Sequence, residues 1–88
     1  MGDRMDDLRT EIGANDERIV EAVNERLRLV SELWKLKLAL GIDRVDPERE
    51  RTLRAQLASA NSGPLSVDGL EELISELLAL TKHELGSR

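Results

Sequence analysis

The chain of 88 residues has no cysteine, no phenylalanine and no tyrosine, and only two prolines. Lacking cysteine, it has no disulfide framework, no thiolate metal ligand and no thiol nucleophile. His83 is the one histidine, with no second histidine or cysteine at ligand spacing, which argues against a metal site and for a surface position near a helix end. Glycine-rich phosphate loops, a nucleophile elbow and a zinc-binding helix are missing, so the common hydrolase chemistries have no candidate residues. There is no run of about 18 apolar residues, and the expectation is an untargeted chain without a membrane span that stays in the cytoplasm. Thirteen Lys and Arg stand against eighteen Asp and Glu, a net charge of −5. That balance argues against a general nucleic-acid or membrane partner and makes any positive site local.

What is present is helical. Trp34 is the only aromatic residue, and the apolar residues are mostly Leu, Ile, Val and Ala, which favours an all-α fold in a single domain over residues 1–88. Leu8, Ile12, Ile19, Val23, Val30, Leu33 and Leu40 recur at helical spacing and predict one long helix from Met5 to Leu40, with a weak point at Gly13-Ala14-Asn15-Asp16. Gly41 supplies a left-handed stop, and Asp46-Pro47 caps a second helix that runs to about Ala58. Ser59 to Leu65 reads as a loop. Ser66 caps a third helix carrying Leu70, Leu73, Ile74, Leu77, Leu78 and Leu85 as far as Gly86.

A first helix of that length is about 54 Å long, whereas a compact globule of this size is about 30 Å across. The helix therefore overhangs its own fold while its apolar stripe continues, and a two-fold homodimer is the expected way to cover it.

Arg26, Val30, Leu33 and Lys37 are spaced +4, +3 and +4, which puts two cations on an apolar face, about 16 Å apart along the axis. Leaning toward each other they could hold an anion; equally, their stems could snorkel to solvent or their heads pair with Glu of another helix. Asp46, Arg49 and Glu50 share one face of the second helix's first turns, either as a second part of a site or as a plain N-cap beside a solvated face. Trp34 reads as a core or dimer contact, with substrate stacking as the other reading.

In order along the chain stand Leu8-Arg9-x-x-Ile12, Asn24-Glu25-Arg26, Lys37, Asp46-Pro47-x-Arg49-Glu50, Gly63-Pro64-Leu65-Ser66 and a closing Leu/Ile helix. Taken together, this set resembles the all-α chorismate mutase family from about Met5 to Leu85. The resemblance implies an intertwined homodimer of three-helix chains with two active sites, each built from both protomers. It implies rearrangement of chorismate to prephenate on the way to phenylalanine and tyrosine, a pericyclic shift that needs no cofactor and no metal. On this likeness Arg26 would bind one substrate carboxylate and Arg9, from the partner chain, the other. Lys37 would face the ether oxygen, Glu50 and the backbone near Asp46 would hold the hydroxyl, and Arg49 would be a supporting cation. Thr81 falls where relatives usually have a serine near a carboxylate.

The chain departs from the family at Trp34, where a small residue is common, and at Leu85, where Gln or Glu often contacts the ether oxygen. The ending Glu84-Leu85-Gly86-Ser87-Arg88 is similar to the short actinobacterial type, some members of which are activated by DAHP synthase. Two other readings stay open: an isochorismate-pyruvate lyase of the same fold, and a non-catalytic helical dimerisation or ligand-sensing module.

Overall fold

A computed structural model describes residues 2–86, so Ser87 and Arg88 of the actinobacterial-type ending lie outside the described residues. Three helices follow one another: α1 (Asp3–Leu40), α2 (Pro47–Ala60) and α3 (Val67–Leu85). No strand occurs among the described residues. None of the helices is long and apolar enough to cross a membrane.

The long first helix is continuous. It begins at Asp3, two residues before the expected start, and passes through Gly13 to Asp16 without a break. A glycine costs about 1 kcal/mol in a helix, whereas an interruption would leave a second set of backbone donors and acceptors to be capped. The helix stops where expected. Gly41 takes the left-handed conformation at φ 69°, its N–H donates to the Leu38 carbonyl at 3.2 Å, and the Ile42 N–H donates to that of Lys37 at 2.8 Å. These two bonds form a Schellman motif.

The Asp46 side chain caps α2 by accepting from the Arg49 N–H at 3.1 Å, with Pro47 in the first turn. This helix ends at Ala60, two residues beyond the expected Ala58, so Ser59 and Ala60 belong to it and not to the loop. Asn61 then organises the turn: its side-chain oxygen accepts from the Gly63 N–H at 3.1 Å and its amide donates to the Leu65 carbonyl at 2.9 Å. Ser66 caps α3 by accepting from the Gly69 N–H at 3.0 Å. Leu65 packs over that glycine so closely that a Cβ on residue 69 would come within 2.8 Å of its methyl group.

α3 touches both other helices and holds them together. Its buried residues Leu70, Ile74, Thr81 and Leu85 fall at helical spacing, with Leu77 and Leu78 half-buried between them. Leu85, where the family often has Gln or Glu, is 5% exposed and part of the core, and Gly86 continues the backbone ladder by donating to the Lys82 carbonyl at 2.8 Å. Arg54 of α2 pairs with Glu71 of α3 at 2.5 Å.

On α1 the half-buried residues are Val23, Arg26, Leu27, Val30, Ser31, Trp34 and Lys37. Leu33, expected on that stripe, is 47% exposed, and Trp34 takes its place, because a 3.6-residue period carries the stripe one position on. Every described residue before Glu21 is exposed, including Leu8, Ile12 and Ile19.

The Schellman motif generates a stability prediction. Gly41→Ala forces a side chain into the left-handed region and is expected to cost about 1 kcal/mol. The test is the urea midpoint, which should fall while the slope of the transition stays the same.

Candidate active site

Arg26 projects from the middle of α1 onto α3. Its Nη1 donates to the Thr81 hydroxyl oxygen at 2.5 Å, and that hydroxyl donates its own proton to the Leu77 carbonyl at 2.7 Å. Thr81 is 5% exposed. With its one proton committed to the backbone, the hydroxyl offers Arg26 only lone pairs and fixes one edge of the guanidinium. No carboxylate pairs with the remaining N–H groups of Arg26 among the described residues.

Lys37 lies 11 residues further along the same helix, on the same stripe. Its Nζ donates to the Arg44 carbonyl at 3.3 Å. Its own carbonyl is an acceptor in the Schellman motif, so the backbone carrying this side chain is anchored at the point where the chain turns toward α2. The two expected cations therefore sit at opposite ends of the α1 surface that faces the rest of the chain.

Burial and pairing separate these two residues from the other basic side chains. Among the described residues three cations are half-buried: Arg26, Lys37 and Arg54. Arg54 is paired with Glu71; Arg26 and Lys37 have no carboxylate partner among the described residues. Pairing with a Glu of another helix, one of the bland readings of these cations, is thus not what the structure shows within one chain. Arg28 and Arg51, both exposed, pair with Glu25 and Glu48 one turn away, as ordinary surface cations do.

The second cluster is brought to the same end of the molecule by the short connector. Asp46 commits its side chain to the Arg49 N–H and its carbonyl to the Glu50 N–H at 3.1 Å. The guanidinium of Arg49 and the carboxylate of Glu50 form no ion pair among the described residues and remain exposed in the first turn of α2. Arg9 is not brought to this group. It is exposed, 3.7 Å from Asp6, and about 25 Å along α1 from Arg26. His83 is exposed beside Glu84 at the end of α3.

Arg44 was not singled out by the sequence. It lies in an irregular connector that carries no periodic signal, yet its guanidinium carbon is 4.4 Å from the centroid of the Trp34 ring. Two open grooves flank α1 near the end of α3. One is lined by Asn24, Arg28, Lys35 and Glu84 among others, the next by Trp34, Leu38, Arg44 and Leu85. Neither includes Arg26 or Lys37, so these grooves are concavities beside the charged surface and do not enclose it.

Residues 8–84 match the family model for chorismate mutase type II. The chain belongs to that family. It is 33% identical over 73 residues to the T-protein of Haemophilus influenzae, covering 82% of this chain but only 19% of the relative, so it spans about a fifth of that protein's length. Two structures of the chorismate mutase from Thermus thermophilus superimpose on it at 32% identity. Form I has a TM-score of 0.84 over 89% of this chain and 98% of its own. Form II reaches 0.87 over 97% and 96%.

Within this chorismate mutase type II chain, Thr81 is the residue whose removal is most informative about Arg26. Thr81→Val keeps the shape of the side chain and leaves the guanidinium edge without its acceptor. A loss of about 1 kcal/mol in the urea-derived stability is expected, with Thr81→Ser close to wild type.

Proposed function

We propose that the chain is a chorismate mutase that converts chorismate to prephenate in the synthesis of phenylalanine and tyrosine, and that it works as an intertwined homodimer. The observation that carries this reading is the pair of half-buried cations, Arg26 and Lys37, without carboxylate partners on one stripe of α1. One is oriented by Thr81 and the other donates to the Arg44 carbonyl in the connector that leads to α2. Family membership and the likeness to the Thermus thermophilus chorismate mutase support it.

The reaction breaks an ether C–O bond and forms a C–C bond within one molecule. No proton is transferred and no nucleophile or cofactor takes part. The requirement is a dianion held in its compact reactive conformer, with positive charge beside the oxygen that becomes negative as the bond lengthens. Arg26, with one edge held by Thr81, is suited to grip a carboxylate with the free N–H groups of its planar fork. Lys37 supplies a point charge at the ether oxygen. Glu50 and the backbone at Asp46 hold the ring hydroxyl, and Arg49 adds positive potential. The second carboxylate is left to the partner's Arg9.

Dimerisation is supported by area. The isolated chain exposes 7272 Å². A compact monomer of this mass exposes about 5200 Å² by the usual surface scaling, and the excess of roughly 2000 Å² is of the size an obligate interface removes. Leu8, Ile12 and Ile19 supply an apolar stripe on the overhanging half of α1, and Arg9 stands beside that stripe. A cytoplasmic location and activation by a DAHP synthase belong to this reading too, the latter on the likeness of the C-terminus alone, since Leu85 itself is packed into the core.

Following the loss of chorismate absorbance in the purified protein, with and without the synthase from the same organism, tests the activity. Lys37→Ala should lower the rate by about 10²- to 10³-fold while the fold is kept, and Arg26→Lys should also fail because one ammonium cannot replace a two-pronged grip. Release of pyruvate from isochorismate, with chorismate left untouched, would assign the lyase reaction instead. No turnover of either compound would leave a binding module.

The shared site is tested by mixing. Arg9→Ala and Arg26→Ala are each expected to be inactive, and heterodimers formed from the two should regain one intact site. A folded monomer at micromolar concentration in sedimentation, or confirmed heterodimers without activity, would contradict the arrangement.

A further inference from the structure

Arg44 lies in the connector between Gly41 and Asp46, outside any helix, yet both its side chain and its backbone are held on α1. Its guanidinium carbon is 4.4 Å from the Trp34 ring centroid, well inside the distance of about 6 Å at which a cation is drawn to an aromatic face. Its carbonyl accepts from Lys37 Nζ at 3.3 Å. Trp34 and Lys37 are three residues apart on α1, on the same face and both half-buried. Between Arg44 and α2 the chain is short: the Val45 N–H donates to the Asp43 side chain at 3.2 Å in an Asx-type turn around Arg44, and Asp46 follows as the cap of α2.

A lysine ammonium on a flexible four-carbon stem is a poorly placed charge unless something holds it. Among the described residues the hydrogen-bond partner of Lys37 is the Arg44 carbonyl, and a carbonyl in a connector is only as fixed as the connector. Here the connector is fixed by a planar cation lying on an indole. A small side chain at position 34 would leave Arg44 with no face to lie on. Arg44 stands two residues before Asp46, the cap of α2, so the connector that bears this contact leads directly into the turn that carries Arg49 and Glu50.

We propose that Trp34 and Arg44 form a clamp that positions the Lys37 ammonium at the connector leading into α2, acting as positioning residues and touching no substrate themselves. The inference deepens the mutase reading, and its kinetic arm rests on that reading.

Trp34 is the chain's only tryptophan, so its emission reports the clamp without any substrate. In the full-length protein, Arg44→Ala is expected to raise acrylamide quenching of Trp34, and Arg44→Lys to retain most of the protection. Unchanged quenching in Arg44→Ala overturns the clamp whether or not chorismate is turned over. Failure of the wild type to turn over chorismate overturns the mutase reading alone.

In the active protein, Arg44→Ala and Trp34→Leu should lower kcat about tenfold, with KM within about twofold and the thermal midpoint and dimer state held. Trp34→Phe and Arg44→Lys should recover most of that loss. Where Trp34→Leu folds poorly, Arg44→Ala decides, because Arg44 is exposed and outside the helices. A kcat within about twofold of wild type in Arg44→Ala overturns the positioning role, as does a loss that tracks the thermal midpoint and is not recovered by Arg44→Lys.

Discussion

A helix of 38 residues is about 57 Å long, whereas α2 and α3, with 14 and 19 residues, span about 21 and 28 Å, so this chain cannot fold back to cover α1 from end to end. The extents of 61 × 26 × 17 Å reflect that mismatch. Half-burial on α1 begins at Val23 and ends at Lys37, the stretch within reach of the rest of the chain. Within it, Arg26 reaches Thr81 of α3, and Trp34 and Lys37 reach Arg44 of the connector. Outside it, Leu8, Ile12 and Ile19 keep the same spacing with nothing from their own chain against them. The two halves of α1 differ accordingly: the C-terminal half carries Arg26 and Lys37 among fixed partners, and the N-terminal half carries Arg9 beside an exposed apolar stripe, the surface that the proposed dimer would cover.

Much of this was legible in the sequence because punctuation in a helical chain is local chemistry. Gly41, Asp46-Pro47 and Ser66 each perform the capping role their residue types suggest, since the bonds involved reach only three to five residues along the chain. Helix ends were less legible: α1 starts at Asp3 and α2 persists to Ala60, where polar and small residues are compatible with either state. The partners of the site residues were partly legible. Spacing put Arg26 and Lys37 on one stripe, but only tertiary contact reveals that Thr81 accepts from Arg26. Leu33 is exposed and Trp34 half-buried because adjacent positions differ by about 100° around a helix, and tertiary packing decides which of them faces inward. Arg44 was invisible for a different reason: its position over Trp34 depends on the path of an irregular connector, for which no periodicity exists.

Leaving Arg26 and Lys37 without carboxylate partners has a small cost in this geometry. They are separated by about 16 Å along the axis, roughly two screening lengths at physiological salt, so their mutual repulsion is weak. Half-burial also leaves water access to the heads while the stems cover apolar surface. Arg54, by contrast, joins two elements and is paired. The free protein therefore tolerates two isolated cations, and a dianion between them would gain their attraction without having to displace an internal carboxylate. An acidic chain with net charge −5 gives this local positive site contrast against the rest of the surface.

A reaction that transfers no proton places its demands on geometry and charge position. The structure meets them with devices that are mostly backbone chemistry: a hydroxyl whose proton is committed to a helix carbonyl so that it can only accept from Arg26, a Schellman motif that anchors the backbone of Lys37, and a capped proline start that fixes the first turn of α2. Each anchors one end of a side chain of the proposed site, and none determines the distance between α1 and α2. That distance runs through the connector from Gly41 to Asp46, whose contacts to α1 include the Lys37 bond and the Arg44–Trp34 stack. In a fold where the two helices have no direct packing against each other and communicate through α3, the connector is the shortest path along which the relative position of Lys37 and Glu50 can be set.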